Sequence, residues 1–173
     1  MDFTNIDYLL SGSATQKQAY QVLKESLLME KLEDFTPVLT GTIPIDIAIK
    51  SSDLDIICCF EDVAHFRKVL NDFFGKFEDF SLKTASISGT ESVIANFTTI
   101  SFPVEIFGQN IPVKKQMAYR HMLVEHRLLQ ENSDDFRREI IRLKNEGYKT
   151  EPAFARILGL KGDPYIELLR YEL

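Results

Sequence analysis

Residues 41–56 read GTIPIDIAIKSSDLDI, and this stretch decides how the rest of the chain is interpreted. Its last part places Asp53 and Asp55 two residues apart at the head of the apolar run 54–60, LDIICCF. A short apolar run rich in β-formers predicts a central strand. Because side chains alternate between the two faces of a strand, the two carboxylates are expected on the same face.

Two neighbouring carboxylates repel each other unless positive charge lies between them. A divalent cation is the usual remedy, and hard oxygen ligands suit Mg²⁺ or Mn²⁺. A third acid, Glu105, lies within another apolar run, 102–107, where an unpaired carboxylate would be costly to bury. If the two strands are neighbours, Asp53, Asp55 and Glu105 converge in the layout that two-metal phosphoryl transfer requires.

The dipeptide Gly41-Thr42 lies upstream of the acids and follows the predicted strand 36–40. Glycine allows the backbone to approach a phosphate closely, and the Thr42 hydroxyl adds a donor beside free amides. An Asp-x-Asp pair alone is also common at a solvated strand end. Gly41 and Thr42 therefore favour a phosphate-binding site over that simpler interpretation.

The spacing of Gly41-Thr42 from the segment 52–56, SDLDI, resembles the signature of the DNA polymerase β-like nucleotidyltransferase superfamily. In that superfamily a Gly-Ser pair precedes a Ser-Asp-x-Asp segment, and a later strand supplies a third acid, which Glu105 matches. Thr42 keeps the hydroxyl of the family serine. The sequence departs from many antibiotic- and toxin-type members by having Ile45-Asp46 where they carry Arg-Gly.

This resemblance covers residues 36–107, and the helical remainder resembles a small bacterial branch of the superfamily with no known substrate. It implies transfer of a nucleoside monophosphate from a nucleoside triphosphate to a hydroxyl acceptor, with Mg²⁺ or Mn²⁺ as cofactor. Asp53, Asp55 and Glu105 would be catalytic and metal-binding, and Gly41, Thr42 and Ser52 would bind the nucleotide. A catalytically inactive relative that binds a nucleotide or a protein partner is the main alternative. A glycosyltransferase using Asp-x-Asp is a second, but it would leave Gly41-Thr42 unexplained.

The helix predicted over 115–130 supplies further candidates. At about 100° per residue, His121 and Glu125 fall within its apolar arc, while Arg120 and Arg127 share a neighbouring flank. Arg120, His121 and Arg127 are predicted to bind nucleotide, the two guanidinium groups as a phosphate clamp. The simpler alternatives are a satisfied polar pair for His121 and Glu125 and a solvated basic stripe for the arginines.

The order of elements predicts an α+β fold with a mixed sheet flanked by helices and a helical C-terminal region. We expect a nucleotidyltransferase-like core over 1–110 and a helical region packed on it over 111–173, possibly as one single domain. Helices are predicted over 14–32, 61–74, 115–130 and 133–145, followed by two short helices capped by Thr150 and Asp163. Strands are predicted over 36–40, 54–60 and 102–107, with a hairpin of 80–88 and 91–99 turning at Gly89.

The composition limits the partners and the compartment. The 173 residues carry a formal net charge of −6, which argues against sequence-independent binding of long DNA. The acceptor is expected to be a small molecule, a protein or an RNA end. With only two cysteines, which are adjacent, and no visible signal peptide or membrane-spanning run, a cytoplasmic protein is expected.

Overall fold

The computed structural model describes residues 1–172. Within that range the helices are α1 (Ala14–Glu25), α2 (Leu28–Lys31), α3 (Val63–Phe74), α4 (Met117–Glu131), α5 (Asp134–Asn145), α6 (Thr150–Leu158) and α7 (Pro164–Leu168). The strands are β1 (Val38–Thr40), β2 (Leu54–Cys59), β3 (Glu78–Ile87), β4 (Thr90–Thr98) and β5 (Pro103–Gln109).

The five strands form one mixed sheet in the order β1-β2-β5-β4-β3. Strands β2 and β5 are parallel, and every other neighbouring pair is antiparallel. The predicted hairpin is present, since β3 pairs antiparallel with β4 up to Ile87 and Thr90. Between them, Ser88 and Gly89 take φ values of 50° and 78°. Positive φ at both central residues matches the twist of a tight hairpin. The predicted mixed sheet flanked by helices is confirmed.

The alternation of β2 sends its side chains into two separate cores, one on each face of the sheet. Leu54, Ile56 and Cys58 pack in the core that includes α1 and α3. Ile57 lies on the other face and packs in the core built with α4, α5 and α6. Burying apolar surface on both faces is what makes β2 a central strand. The C-terminal helices therefore cover the face from which Asp55 projects.

Some helix boundaries differ from those expected. The helix predicted over 14–32 is interrupted because Leu27 takes a φ of 52°, which separates α1 from α2. Thr150 is the first residue of α6 and Lys149 occupies the cap position, so the predicted Thr150 cap is wrong. Ser133 precedes α5 but its side chain makes no capping hydrogen bond. The Asp163 cap is confirmed, since its carboxylate accepts from the Tyr165 backbone N–H at 2.9 Å.

A membrane-crossing helix is not found among residues 1–172, since every helix there is too short or too polar.

Candidate nucleotide and metal site

A row of polar side chains crosses the sheet at the beginning of β2. Asp55 is directly opposite Thr40 of β1 on one side and Glu105 of β5 on the other. Glu105 in turn is opposite Asn96 of β4. Residues directly opposite each other share a face of the sheet, so Asp55 and Glu105 project to the same side. The strands of Asp55 and Glu105 are therefore neighbours, which is the condition on which convergence of the acids depends.

A pocket of about 450 Å³ opens beside this row and is closed on its far side by helices. Its sheet-side wall contains Asp53, Asp55 and Glu105, together with Gly41, Thr42 and Ser52 from the loop between β1 and β2. The six residues proposed from the strand and loop motifs thus lie around one cavity. Asp53 immediately precedes β2 and is held outside the strand ladder.

The three carboxylates are electrostatically coupled. Burial, and then the negative charges of Asp53 and Glu105, raise the pKa of Asp55 to about 8. Burial and Asp53 also raise the pKa of Glu105, against the opposing effect of Lys83 and Lys149. Both shifts mean that the ionised forms lack sufficient positive charge nearby. A bound cation would supply it.

The chemistry of this donor set fits a hard divalent cation, since it offers only carboxylate oxygens. The distances between the side chains do not yet match those of a metal site. Among residues 1–172, no three His, Cys, Asp or Glu side chains are close enough to form a ready-made metal cluster. The pairing of β2 with β5 nevertheless fixes the backbones of Asp55 and Glu105 as neighbours.

Gly41 is required where it stands. Its φ is +75°, and a Cβ built on it would lie 2.1 Å from Oδ2 of Asp55. Only glycine combines this backbone conformation with so close an approach. The next residue, Thr42, places its hydroxyl 3.1 Å from the Ser52 hydroxyl, and Ser52 Oγ accepts from the Ile49 N–H at 3.0 Å. The two ends of the loop that leads from Gly41 to Asp53 are therefore joined to each other.

Three long side chains hold the middle of the same loop by its carbonyl groups. Gln16 donates to the carbonyls of residues 43 and 44 at 2.9 and 3.1 Å. Arg137 donates to those of residues 45 and 46 at 2.8 and 3.0 Å, and Lys144 donates to that of residue 47 at 2.7 Å. Five consecutive carbonyl groups are thus satisfied without regular secondary structure. Helices α1 and α5 thereby position the loop that carries the site.

The helical wall of the pocket includes His121 and Glu125 of α4. Both are buried, as expected from their place in the apolar arc of that helix. His121 Nε2 lies 2.8 Å from the Tyr165 carbonyl, and Nδ1 lies 3.6 Å from Glu151 Oε1. His121 therefore joins α4 to α6 and α7. Glu125 is 3% exposed, and its Oε1 has no hydrogen-bond partner. Burial and the charge of Glu151 raise the pKa of Glu125 well above its ordinary value, against the effect of Lys144.

The predicted phosphate clamp of Arg120 and Arg127 is not at this pocket. The Arg120 guanidinium pairs with Glu172, with Nη2 2.5 Å from Oε2. Arg127 donates to the Tyr171 carbonyl, and its Nε lies 3.7 Å from Oε1 of Glu131. The flank of α4 that carries both arginines faces the C-terminal segment rather than the sheet. Neither residue lines the cavity.

The ammonium groups that do line the pocket are those of Lys144 and Lys149. Burial lowers the pKa of Lys144 to about 8, opposed by the charges of Glu125, Asp55 and Asp53. Sequence analysis did not predict Lys144 as a pocket residue, although its position in the sequence is unusual. It follows Ile140 and Leu143 at the spacing of the buried face of α5, where an unpaired lysine is unexpected.

A larger groove, of about 890 Å³, lies at the other end of β2 beside Val38, Cys59 and Val113. Its surface is mostly apolar, and its Lys24 and Glu30 are already paired at 2.7 Å. The smaller pocket is the one that contains Asp53, Asp55 and Glu105 together with Gly41, Thr42 and Ser52. We therefore assign the chemistry to the smaller pocket.

The raised pKa of Glu125 predicts how the stability of the fold depends on pH. A carboxyl group whose pKa is raised in the folded state stabilises the fold below its unfolded pKa and loses that contribution as pH rises. Glu125→Gln should therefore change little near pH 4 and should gain about 1 to 3 kcal/mol over the native chain by pH 8. Urea unfolding across this range measures the difference.

Glu131→Gln is the matched control, because Glu131 is on the same helix but its side chain is 60% exposed. This variant should stay within about 0.5 kcal/mol of the native chain at every pH. A Glu125→Gln variant that is less stable than the native chain throughout would show that Glu125 has a partner after all.

Comparison with solved structures identifies the class of fold. The structure of Cid1 poly(U) polymerase bound to MgGTP superposes with a TM-score of 0.51 at 14% identity, covering 80% of this chain and 42% of that chain. Cid1 in complex with the UTP analogue UMPNPP gives 0.51 at 15% identity, covering 75% and 39%. The GLD-2/RNP-8 complex gives 0.52 at 11% identity, covering 88% and 57%. The chain therefore has a nucleotidyltransferase-like fold and spans about 40 to 60% of the length of these neighbours.

Within that class, the family is shown by sequence. The model of the family described as "Domain of unknown function (DUF4269)" matches residues 21–171, and the chain belongs to that family. The matched range includes the loop, the three acids and the helices that close the pocket. No curated protein matches the sequence.

Proposed function

We propose that this protein is a metal-dependent nucleotidyltransferase that moves a nucleoside monophosphate from a nucleoside triphosphate to a hydroxyl acceptor. The observation that carries the proposal is the placement of Asp55 opposite Glu105 on parallel strands, with Asp53 in the same pocket. The nucleotidyltransferase-like fold supports it, as do neighbours solved with MgGTP and with a UTP analogue. Fold alone does not define function, so the site must carry the argument.

In this proposal Asp53 and Asp55 hold Mg²⁺ or Mn²⁺, and Glu105 completes the site. The bound cation would neutralise negative charge on the triphosphate and on the attacking oxygen. Gly41, Thr42 and Ser52 bind the phosphates, using the space and hydroxyl groups of the fixed loop. The role of the chain is to position these groups before the reaction begins.

The reaction forms a bond between the acceptor oxygen and the α-phosphorus and breaks the bond from that phosphorus to the oxygen bridging to the β-phosphate. The hydroxyl proton passes to the Glu105 carboxylate, which lies in the same pocket as Asp53 and Asp55. Pyrophosphate leaves carrying the electrons of the broken bond. Lys144 and Lys149, which also line the pocket, supply positive charge.

The experiment is a calorimetric titration with the four ribonucleoside triphosphates in the presence of Mg²⁺, followed by incubation of α-³²P-labelled nucleotide with protein and cell extract. We expect magnesium-dependent binding, and label transferred to an acceptor with release of pyrophosphate. Absence of nucleotide binding with Mg²⁺ and with Mn²⁺ would contradict the proposal.

A catalytically inactive protein that binds a nucleotide is the second candidate. It is favoured by Ile45-Asp46, which stands where many antibiotic- and toxin-type members of the superfamily carry Arg-Gly. The same titration separates the two. Nucleotide binding without turnover on any fraction of the extract would support this second function.

A further inference from the structure

The pocket contains more carboxyl groups than the proposed metal site uses. Its lining includes five carboxyl groups but only two ammonium groups, those of Lys144 and Lys149. Asp53, Asp55 and Glu105 belong to the sheet-side wall. The remaining two, Glu125 and Glu151, lie on the helical wall beside His121.

The helical wall contains a polar atom that lacks a hydrogen-bond partner, and it belongs to Glu125. Its Oε1 is buried without a partner in a side chain that lines a cavity. Lys144 makes no hydrogen bond to this atom: its ammonium donates to the Ile47 carbonyl, and Glu125 Oε1 has no partner within residues 1–172. An unpaired buried acceptor costs about 1 to 3 kcal/mol, so a ligand that donates to it gains correspondingly.

His121 limits what that ligand can be. Its Nε2 is engaged with the Tyr165 carbonyl, and its Nδ1 is directed to Glu151. An N–H donor, preferably an ammonium group, is the chemistry that fits two carboxyl groups with one empty acceptor position.

We infer that the helical wall, centred on Glu125 and Glu151, binds an amino group of the acceptor. The acceptor is then a small molecule that carries an amino group as well as the hydroxyl that is modified. The hydroxyl part of this statement rests on the function proposed above. A pocket of about 450 Å³ suits a small molecule, and the chain's net charge of −6 disfavours a polyanionic acceptor.

The test compares two probes that differ by one amino group, glucosamine and glucose, by ligand-observed NMR titration of the full chain without metal or nucleotide. Glucosamine should bind at least about tenfold more tightly than glucose, the effect of one charge-assisted hydrogen bond. Glu125→Gln and Glu151→Gln should each weaken glucosamine binding by about tenfold and leave glucose unchanged. Glu131→Gln, on the exposed side of α4, should change neither.

Equal binding of the two sugars, failure of both to bind, or unchanged glucosamine affinity in both pocket variants would overturn the inference. If Glu125→Gln fails to fold, Glu151→Gln alone decides, because Glu151 is only partly buried. The titration contains neither Mg²⁺ nor nucleotide. Its failure beside successful magnesium-nucleotide binding would remove the acceptor assignment and leave the nucleotidyltransferase proposal standing.

Discussion

Replacing Asp53 and Asp55 together by asparagine should abolish nucleotidyl transfer, with a loss of at least about 10³-fold in rate. The change keeps the size of both side chains and removes the charges proposed to hold the cation. It should also remove thermal stabilisation by metal. At a metal concentration of 100 times Kd, a site of this kind stabilises a chain of this size by roughly 5 to 10 °C. Differential scanning fluorimetry with and without Mn²⁺ measures the second effect without relying on activity.

Asp46→Asn is the matched control, since Asp46 belongs to the same loop but is exposed and does not line the pocket. Asparagine also tolerates the positive φ of 57° found there. This variant should retain the metal response and the activity. A double variant at 53 and 55 that responds to Mn²⁺ as strongly as the native chain would place the metal elsewhere.

Gly41→Ala should cause the second largest loss, about 10²-fold in activity. The new methyl group would meet Asp55 Oδ2, which is only 2.1 Å from the Cβ position, and would push the carboxylate away from its place in the pocket. Backbone strain at φ +75° should add about 1 kcal/mol of destabilisation. Steady-state rates and urea unfolding measure the two effects separately.

Gly89→Ala separates the steric effect from the strain. Gly89 has a nearly identical φ of +78°, but nothing lies within 4 Å of its Cβ position. Its replacement should cost similar stability and no activity. If the two alanine variants lose activity equally, the close approach of Gly41 to Asp55 is unimportant to the site.

Local sequence patterns were sufficient to predict β2, the β3–β4 hairpin and the presence of Glu105 on a strand. Each depends on residues close together in the chain: an apolar run for β2, a turn at Gly89, and alternation around Glu105. The pairing of β2 with β5, which makes Asp55 and Glu105 neighbours, could be proposed only from the family resemblance, because about 50 residues separate them.

The helical wall was harder to predict, for a physical reason. Periodicity shows which side of α4 is apolar, and it correctly predicted that His121 and Glu125 are on that buried side. It does not show which element packs on each flank. Arg120 and Arg127 are therefore occupied by the C-terminal segment, while Lys144 reaches the loop from α5, 97 residues away in sequence.

Sequence analysis also could not predict the hydrogen bonds that fix the carbonyl groups of residues 43–47. Gln16 and Arg137 are ordinary polar residues on amphipathic helices, and nothing in their own neighbourhood indicates a backbone carbonyl as partner. Their role becomes visible only when both helices lie against the same loop.

The most direct test of the central claim is anomalous diffraction from crystals grown with Mn²⁺ and a non-hydrolysable nucleoside triphosphate analogue. We expect an anomalous peak at coordination distance from carboxylate oxygens of Asp53 and Asp55, with Glu105 turned toward the same centre and the phosphates beside Gly41 and Thr42. Manganese and triphosphate bound away from these residues, or no bound manganese in crystals that contain the analogue, would contradict the claim.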